Sequence, residues 1–184
     1  MIAVLVFAGV IAVAFLLVIG IYNGLVSARN QVKNAWSQID VQLKRRYDLI
    51  PNLIETAKGY MQHERGTLEN ITAARSRAMQ AQSVADKSTA ETALTDAVSK
   101  FLVTVENYPD LKANKNFLAL QEELSSTENK IAFSRQSYND QTLFYNNKIE
   151  MFPSNVIAGM FGFAKESFFQ LSDKAQAEPP KVKF

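Results

Sequence analysis

The sequence contains no cysteine and a single histidine, His63, among its 184 residues. The lack of cysteine excludes disulfides, thiolate nucleophiles and cysteine-ligated metals. A zinc-peptidase helix needs a second histidine four residues after the first, where this chain has Thr67. Glycine-rich phosphate loops and glycine-flanked serine elbows are also missing. We therefore predict a protein that is not an enzyme and has no metal, cofactor or small-molecule substrate, with His63 an unremarkable, partly exposed residue.

Neither sign of charge is in large excess, because the chain has 20 Lys and Arg residues and 18 Asp and Glu residues. Domains that bind nucleic acid usually concentrate basic side chains on one face. The balance therefore predicts no nucleic-acid partner. The length suits one domain and is short for two.

The first 28 residues carry no charged side chain. As a helix, the apolar run 1–22 would extend about 33 Å, which is close to the thickness of a bilayer core. We expect residues 1–23 to form a transmembrane anchor. A cleaved signal peptide is the rival, since small residues occur at 26–28, but the missing basic region and the long apolar run favour an anchor. The predicted membrane-spanning side chains include Ile2, Leu5, Phe7, Phe15, Leu17 and Ile21.

Apolar residues recur at steps of three and four from Val32 to Met61, which is typical of one buried helical stripe. The stripe keeps its phase across Pro51, so we predict one helix that is kinked at this proline. We expect further helices over about 64–82 and 90–106, with a loop over 82–90.

A fourth helix is predicted by apolar or aromatic residues exactly one heptad apart from Phe117 to Phe152. The sequence thus predicts an all-α fold: a transmembrane helix, a long antiparallel bundle of about four helices over 24–171, and an extended tail over 172–184. The expected bundle core includes Trp36, Ile39, Leu43, Ile50, Phe117, Leu124, Ile131, Tyr138 and Tyr145.

Three consecutive cations, Lys44, Arg45 and Arg46, precede the proline. Lys44 lies about 33 Å beyond Tyr22 along a continuous helix. The surface potential of a membrane decays over about 8 Å at physiological salt. We therefore interpret the three cations as bundle surface, or as a protein interface with a neighbouring acidic face, rather than as a lipid-binding patch.

A phenylalanine-rich segment is predicted to form a last amphipathic helix over 155–171. Its aromatic residues are Phe161, Phe163, Phe168 and Phe169. Three interpretations stay open: a cap on the bundle core, an interface between subunits, or insertion at the bilayer surface. Asparagines crowd the third and fourth predicted helices, and we favour caps and register-fixing hydrogen bonds over a polar binding groove.

Several runs resemble the LemA family closely. They are AWSQIDVQLKRR at 35–46, YDLIPNL at 47–53, VENYPDLKAN at 105–114 and TENKIA at 127–132. The resemblance implies a bacterial membrane-anchored helical bundle, in the inner membrane with a single span. It implies no enzymatic activity or cofactor, and it suggests membrane proteases or envelope-stress sensors as partners.

Two functions follow as hypotheses. The first is a non-enzymatic, membrane-anchored scaffold that self-associates into a homo-oligomer within the lipid bilayer. The second is an adaptor that presents its bundle to a membrane protease or an envelope-stress sensor. No motif separates the two, and the sequence leaves the identity of any partner open.

The first charges after the apolar run, Arg29 and Lys33, predict that the soluble part faces the cytoplasm. A periplasmic location is the alternative. A single cysteine introduced as Ser83→Cys should resist a membrane-impermeant maleimide in intact cells and react after lysis. Efficient labelling of intact cells would reverse the predicted orientation.

Overall fold

The computed structural model describes residues 1–170, which form helices and contain no strand. The helices are α1 (Ile2–Lys58), α2 (Arg65–Gln80), α3 (Val84–Val105), α4 (Pro109–Lys112), α5 (Lys115–Glu150) and α6 (Ser154–Met160). The predicted all-α fold is confirmed. Leu171 and the predicted tail over 172–184 lie outside the described residues.

The N-terminal part of α1 is long and apolar enough to cross a membrane, and the most apolar 18-residue window of this helix is not buried by the rest of the chain. The predicted spanning residues Ile2, Leu5, Phe7, Phe15 and Leu17 are all exposed, and Ile21 is half-buried. A water-exposed surface of this kind would be unfavourable, because apolar surface gains free energy on leaving water.

The chain divides into two compact units, and the long helices α1 and α5 contribute residues to both. Of the described residues, unit 1 contains Met1–Gln38 and Ser134–Phe168, and unit 2 contains Ile39–Phe133 with Phe169 and Gln170. This division differs from the predicted boundary between an anchor and a bundle near residue 23. That boundary stays a prediction.

Unit 2 is a bundle in which short connections join consecutive helices, as antiparallel packing requires. Its core is formed by apolar side chains on one face of each helix, including Ile39, Leu43, Ile50, Ile71, Leu94, Phe101, Phe117 and Leu124. The rings of Phe101 and Phe117 meet edge to face, with their centroids 6.2 Å apart. Aromatic pairs in this geometry add stability beyond the area that they bury.

Helix α1 continues through Pro51, so the predicted single helix is confirmed, and the kink stays a prediction. Proline has no N–H, and the carbonyl of Tyr47, four residues earlier, therefore lacks its helical donor. Nε of Arg75 on α2 donates to this carbonyl at 2.8 Å. A side chain from a neighbouring helix thus replaces the backbone hydrogen bond that the proline removes.

The predicted loop over 82–90 was largely wrong, because α3 already begins at Val84. Ser83 is the N-cap, and its side chain accepts the N–H of Asp86 at 3.0 Å. Ser88 and Glu91 occupy inward positions of the first turns and are buried. Polar residues on the inner face hid the apolar period by which a helix is recognised.

Unit 1 pairs the first part of α1 with the second part of α5. The rings of Trp36, which is half-buried, and Tyr138 meet edge to face at 5.2 Å between centroids. The heptad positions Ile131, Tyr138 and Tyr145 are buried, although Ile131 belongs to unit 2. Phe152, the last heptad position, is 83% exposed and lies beyond the end of α5. The buried stripe expected from the heptads therefore ends at Tyr145, one repeat before Phe152.

The predicted helix over 155–171 was wrong for most of its length. Helix α6 ends at Met160, and Gly162 adopts a positive φ of 70° that terminates it. The N–H of Phe163 returns to the carbonyl of Ala158 at 2.9 Å, which is the Schellman arrangement of a glycine-ended helix.

After Gly162 the chain is irregular, and the side chain of Asn146 holds it in place. Nδ2 of Asn146 donates to the carbonyl of Glu166 at 2.9 Å, and Oδ1 accepts the N–H of Glu166 at 3.0 Å. The hydroxyl of Tyr138 donates to the carbonyl of Ser167 at 2.8 Å. Side chains of α5 thus supply hydrogen bonds that a helix would have supplied internally.

Arg75→Met should destabilise the full chain in detergent by about 1–2 kcal/mol, because it leaves the carbonyl of Tyr47 without a donor. In a Pro51→Ala background the N–H of residue 51 can make that bond, so the same change should cost less than about 1 kcal/mol. Urea unfolding followed by circular dichroism measures both. Equal costs in the two backgrounds would contradict the assigned role of Arg75.

Candidate functional site

A buried arginine is the centre of the polar network in unit 2. Arg46 on α1 is buried, and its side chain is only 2% exposed. Its Nη1 lies 3.1 Å from a carboxylate oxygen of Glu91, and its Nε lies 2.8 Å from one of Glu128. Its Nη2 donates to the hydroxyl of Thr95 at 2.8 Å. One guanidinium therefore joins α1, α3 and α5, and we call these four residues the Arg46 centre.

The carboxylate of Glu91 also accepts a hydrogen bond from the hydroxyl of Tyr47. Burial raises the pKa of Glu91, while this hydrogen bond and the charge of Arg46 act in the opposite direction. Burial and the neighbouring carboxylate raise the pKa of Tyr47, which keeps its proton and acts as a donor. Each polar group thus faces a partner of complementary character, as buried polar groups require.

The pH dependence that Glu91 contributes follows from the direction of this shift. An unfolded glutamate titrates near its ordinary pKa of 4.5, and the folded pKa is higher. In the window just above 4.5 the folded chain therefore binds more protons than the unfolded chain. The stability that this group contributes falls as pH rises through that window and levels off above the folded pKa.

The prediction for the three cations needs correction at Arg46. Lys44 and Arg45 are exposed, whereas Arg46 is inside the unit and contacts its own chain. Arg45 pairs with Glu123 at 2.7 Å, with both side chains about half exposed. Arg46 therefore cannot belong to the predicted interface, while an interface at the exposed Lys44 and Arg45 stays a prediction. Helical geometry explains the split, since Arg45 and Arg46 point about 100° apart.

Sequence reasoning missed Glu91, Thr95 and Glu128 as partners of the arginine. A signal was present for Glu91. The apolar stripe of α3 recurs at Leu94, Val98, Phe101 and Val105, and three residues before Leu94 the next stripe position is Glu91. A charged residue at a stripe position predicts a buried ion pair, although it does not identify the partner.

Metal-ligating residue types and the single histidine were considered in the sequence, and the structure describes their positions within residues 1–170. These residues contain no group of three or more His, Asp or Glu side chains placed to hold a metal ion. His63 is exposed in the connection between α1 and α2. A surface depression of about 350 Å³ lies nearby, lined by Lys58, Met61, Gln62, Arg65, Leu68 and Glu69.

The asparagines that crowd the third and fourth predicted helices act as caps or clamps where the structure gives their bonds. Oδ1 of Asn114 accepts the N–H groups of Asn116 and Phe117, at 2.9 and 3.1 Å, and so caps α5. Asn146 clamps Glu166, as described above. These contacts fit the interpretation as structural hydrogen bonds rather than a binding groove.

The phenylalanine-rich segment divides into two sets. Phe163 and Phe169 are buried, which corrects their prediction as interface residues, while Phe161 and Phe168 are partly exposed. The ring of Phe163 lies under the guanidinium of Arg29, 5.0 Å from the ring centroid, and its edge meets Tyr22. The ring of Phe163 thus acts as packing for unit 1, whereas Phe169 belongs to unit 2.

Exposed apolar side chains gather where α5 ends and α6 begins. They are Met151, Phe152, Val156, Met160 and Phe161, and we call this set the apolar corner. The ring of Phe161 contacts Tyr22 of α1, with centroids 4.8 Å apart. Nζ of Lys148 donates to the carbonyl of Gly24 at 3.1 Å. These contacts attach the corner to α1 where its apolar segment ends.

A family model and a curated relative point to the same family. A model of the LemA family matches residues 35–184. The protein LemA of Metamycoplasma hominis is 30% identical over 168 residues, which cover 86% of this chain and 77% of that protein. The magnetosome proteins MamQ 1 and MamQ 2 of Paramagnetospirillum magneticum are each 28% identical over 87 residues, 47% of this chain and 31% of theirs.

Arg46→Met should destabilise the chain by about 3–5 kcal/mol, because two carboxylates then lose their buried counter-charge. Arg45→Met is the matched control and should cost less than about 1 kcal/mol, since its ion pair is solvent-exposed. Adding Glu91→Gln and Glu128→Gln to Arg46→Met should restore part of the loss. Urea unfolding of the full chain in detergent measures all three, and similar losses for the two single variants would refute the assignment.

Proposed function

The chain belongs to the LemA family, and from this premise we propose that it is a non-catalytic, membrane-anchored scaffold that self-associates into a homo-oligomer. Membership in the family and the apolar N-terminal helix make it a membrane-associated helical protein. In the proposal, residues 1–23 are the anchor in the bacterial inner membrane, residues 24–171 are the bundle, and the bundle faces the cytoplasm.

Two exposed apolar side chains of unit 2 carry the proposal of self-association. Phe133 on α5 is 75% exposed, and Val41 on α1 is 64% exposed. The pairing of Arg46 with Glu128 sets the register of these antiparallel helices. Val41 precedes Arg46 by five residues, and Phe133 follows Glu128 by five, so the two lie at one level. We call them the lateral patch.

A second copy of the chain suits the lateral patch because of the anchor. Anchors in one bilayer confine the copies to a plane and orient them alike, which raises their effective concentration. A small apolar contact that would be too weak in solution can therefore support lateral association.

The interface predicted from sequence is revised by the structure. Arg46, Phe163 and Phe169 are buried within the chain and cannot serve as contacts between folded copies. Lys44 and Arg45 remain on the surface of the same helix as Val41. The proposed interface therefore keeps the helix that the sequence indicated but moves to its exposed apolar residue.

Light scattering of the full chain, at micromolar concentration in mild detergent, should give the mass of an oligomer. The protein mass should be a whole-number multiple, greater than one, of 20.6 kDa. The double variant Val41→Gln/Phe133→Gln should weaken association by about tenfold or more, as the loss of one well-buried apolar contact does. The double variant should also keep the helical content of the parent.

Val103→Gln is the matched control, because Val103 is 71% exposed on α3 and is not part of the lateral patch. It should leave the mass unchanged. A monomeric parent chain would overturn the scaffold proposal. Crosslinking in cells that recovers one other protein at fixed ratio, and not the chain itself, would favour an adaptor for a membrane protease or stress sensor.

A further inference from the structure

The apolar corner belongs to a stretch of the chain that lacks charge. Between Glu150 and Lys165 the sequence reads MFPSNVIAGMFGFA, with no acidic or basic residue. Phe152 is 83% exposed and Met160 is 73% exposed. Ile157 and Ala158 of α6 face inward and are buried, so the exposed side chains are the outer face of a packed segment. An exposed apolar patch of this kind marks an interaction site.

The position of the corner within unit 1 identifies its surroundings. Tyr22 is the last residue of the apolar run of α1, and its ring contacts the ring of Phe161 of the corner, at a tilt of 59° with centroids 4.8 Å apart. Lys148, from the last turn of α5, bonds to the backbone of Gly24, two residues further along α1. When the apolar run lies in a bilayer, the corner is therefore at the level of the lipid headgroups.

We propose that the apolar corner inserts into the headgroup layer and the adjoining acyl chains of the bilayer that holds the anchor. The layer between bilayer core and water is about 6 Å thick on each side, and amphipathic segments enter it by about 5–10 Å. A phenylalanine or methionine side chain that extends from the level of Tyr22 reaches that depth. The anchor and the corner then form two linked contacts with one membrane.

The charges around the corner fit a lipid surface. Lys148, which bonds to Gly24, lies on the side of Tyr22 away from the apolar run, where a basic side chain can reach lipid phosphates. Lys165 follows the uncharged stretch and pairs with Glu150, which precedes it. Charged residues thus border the stretch at both ends and are missing from its interior, the order expected where a chain dips into an interface and returns.

The absence of native cysteine allows a direct test. Met160→Cys and, separately, Phe152→Cys are labelled with bimane, and the full chain is reconstituted in phosphatidylcholine vesicles at about one copy per vesicle. Lipids brominated on the acyl chains should quench each label by at least about twofold. Val103→Cys, equally exposed but on α3, should be unaffected, and aqueous iodide should quench only this control.

Two outcomes would overturn the proposal. Labels at 152 and 160 that iodide quenches as strongly as the label at 103 would show that the corner faces water. Labels that neither quencher reaches, with shielding that increases at higher protein density, would show that a second copy covers the corner. Neither outcome bears on the lateral patch, whose test uses other residues and measures mass.

Discussion

Burial of one arginine is the constraint on which unit 2 depends. A charged group removed from water loses several kcal/mol of hydration, and it is tolerated only where counter-charges and hydrogen bonds replace the water. The guanidinium of Arg46 meets Glu91 of α3, Glu128 of α5 and Thr95 of α3. Only one register of these helices satisfies all three contacts. The Arg46 centre thus selects among bundles that an apolar core alone would leave nearly equal in free energy.

The same logic recurs wherever the backbone departs from a regular helix. Pro51 removes a donor within α1, and Arg75 supplies one from α2. Gly162 ends α6, and Asn146 of α5 supplies both a donor and an acceptor to the chain that follows. In each case a polar side chain from another helix satisfies a backbone group. Such contacts tie helices together at defined positions, which apolar packing does less specifically.

The all-α fold could be predicted because its signal is local. Steps of three and four along α1, and heptads from Phe117 along α5, follow directly from the geometry of a helix with one buried face. The family resemblance, carried by runs such as YDLIPNL at 47–53, is shown by the comparisons. Helix boundaries were harder to predict from the sequence, because polar residues that face inward, such as Ser88, hid the start of α3.

The candidate site could not be predicted because its signal is tertiary. Arg46 and Arg45 are identical in type and adjacent, and only the direction of each side chain places one inside the bundle and the other at its surface. Phe161 and Phe163 divide in the same way, because the turn at Gly162 directs the second ring inward. The composition of the phenylalanine-rich segment indicated an aromatic surface. In the structure only some of these rings are exposed, among them Phe161, which contacts Tyr22.

Hydrogen exchange of the backbone amides, followed by mass spectrometry on the full chain in lipid nanodiscs, tests the role of the Arg46 centre most directly. If one buried guanidinium joins α1, α3 and α5, segments around Arg46, Glu91 and Glu128 should be the slowest in unit 2 and should open with one common free energy. Independent opening of the three segments, with the α3 segment exchanging as fast as the helix ends, would contradict this account.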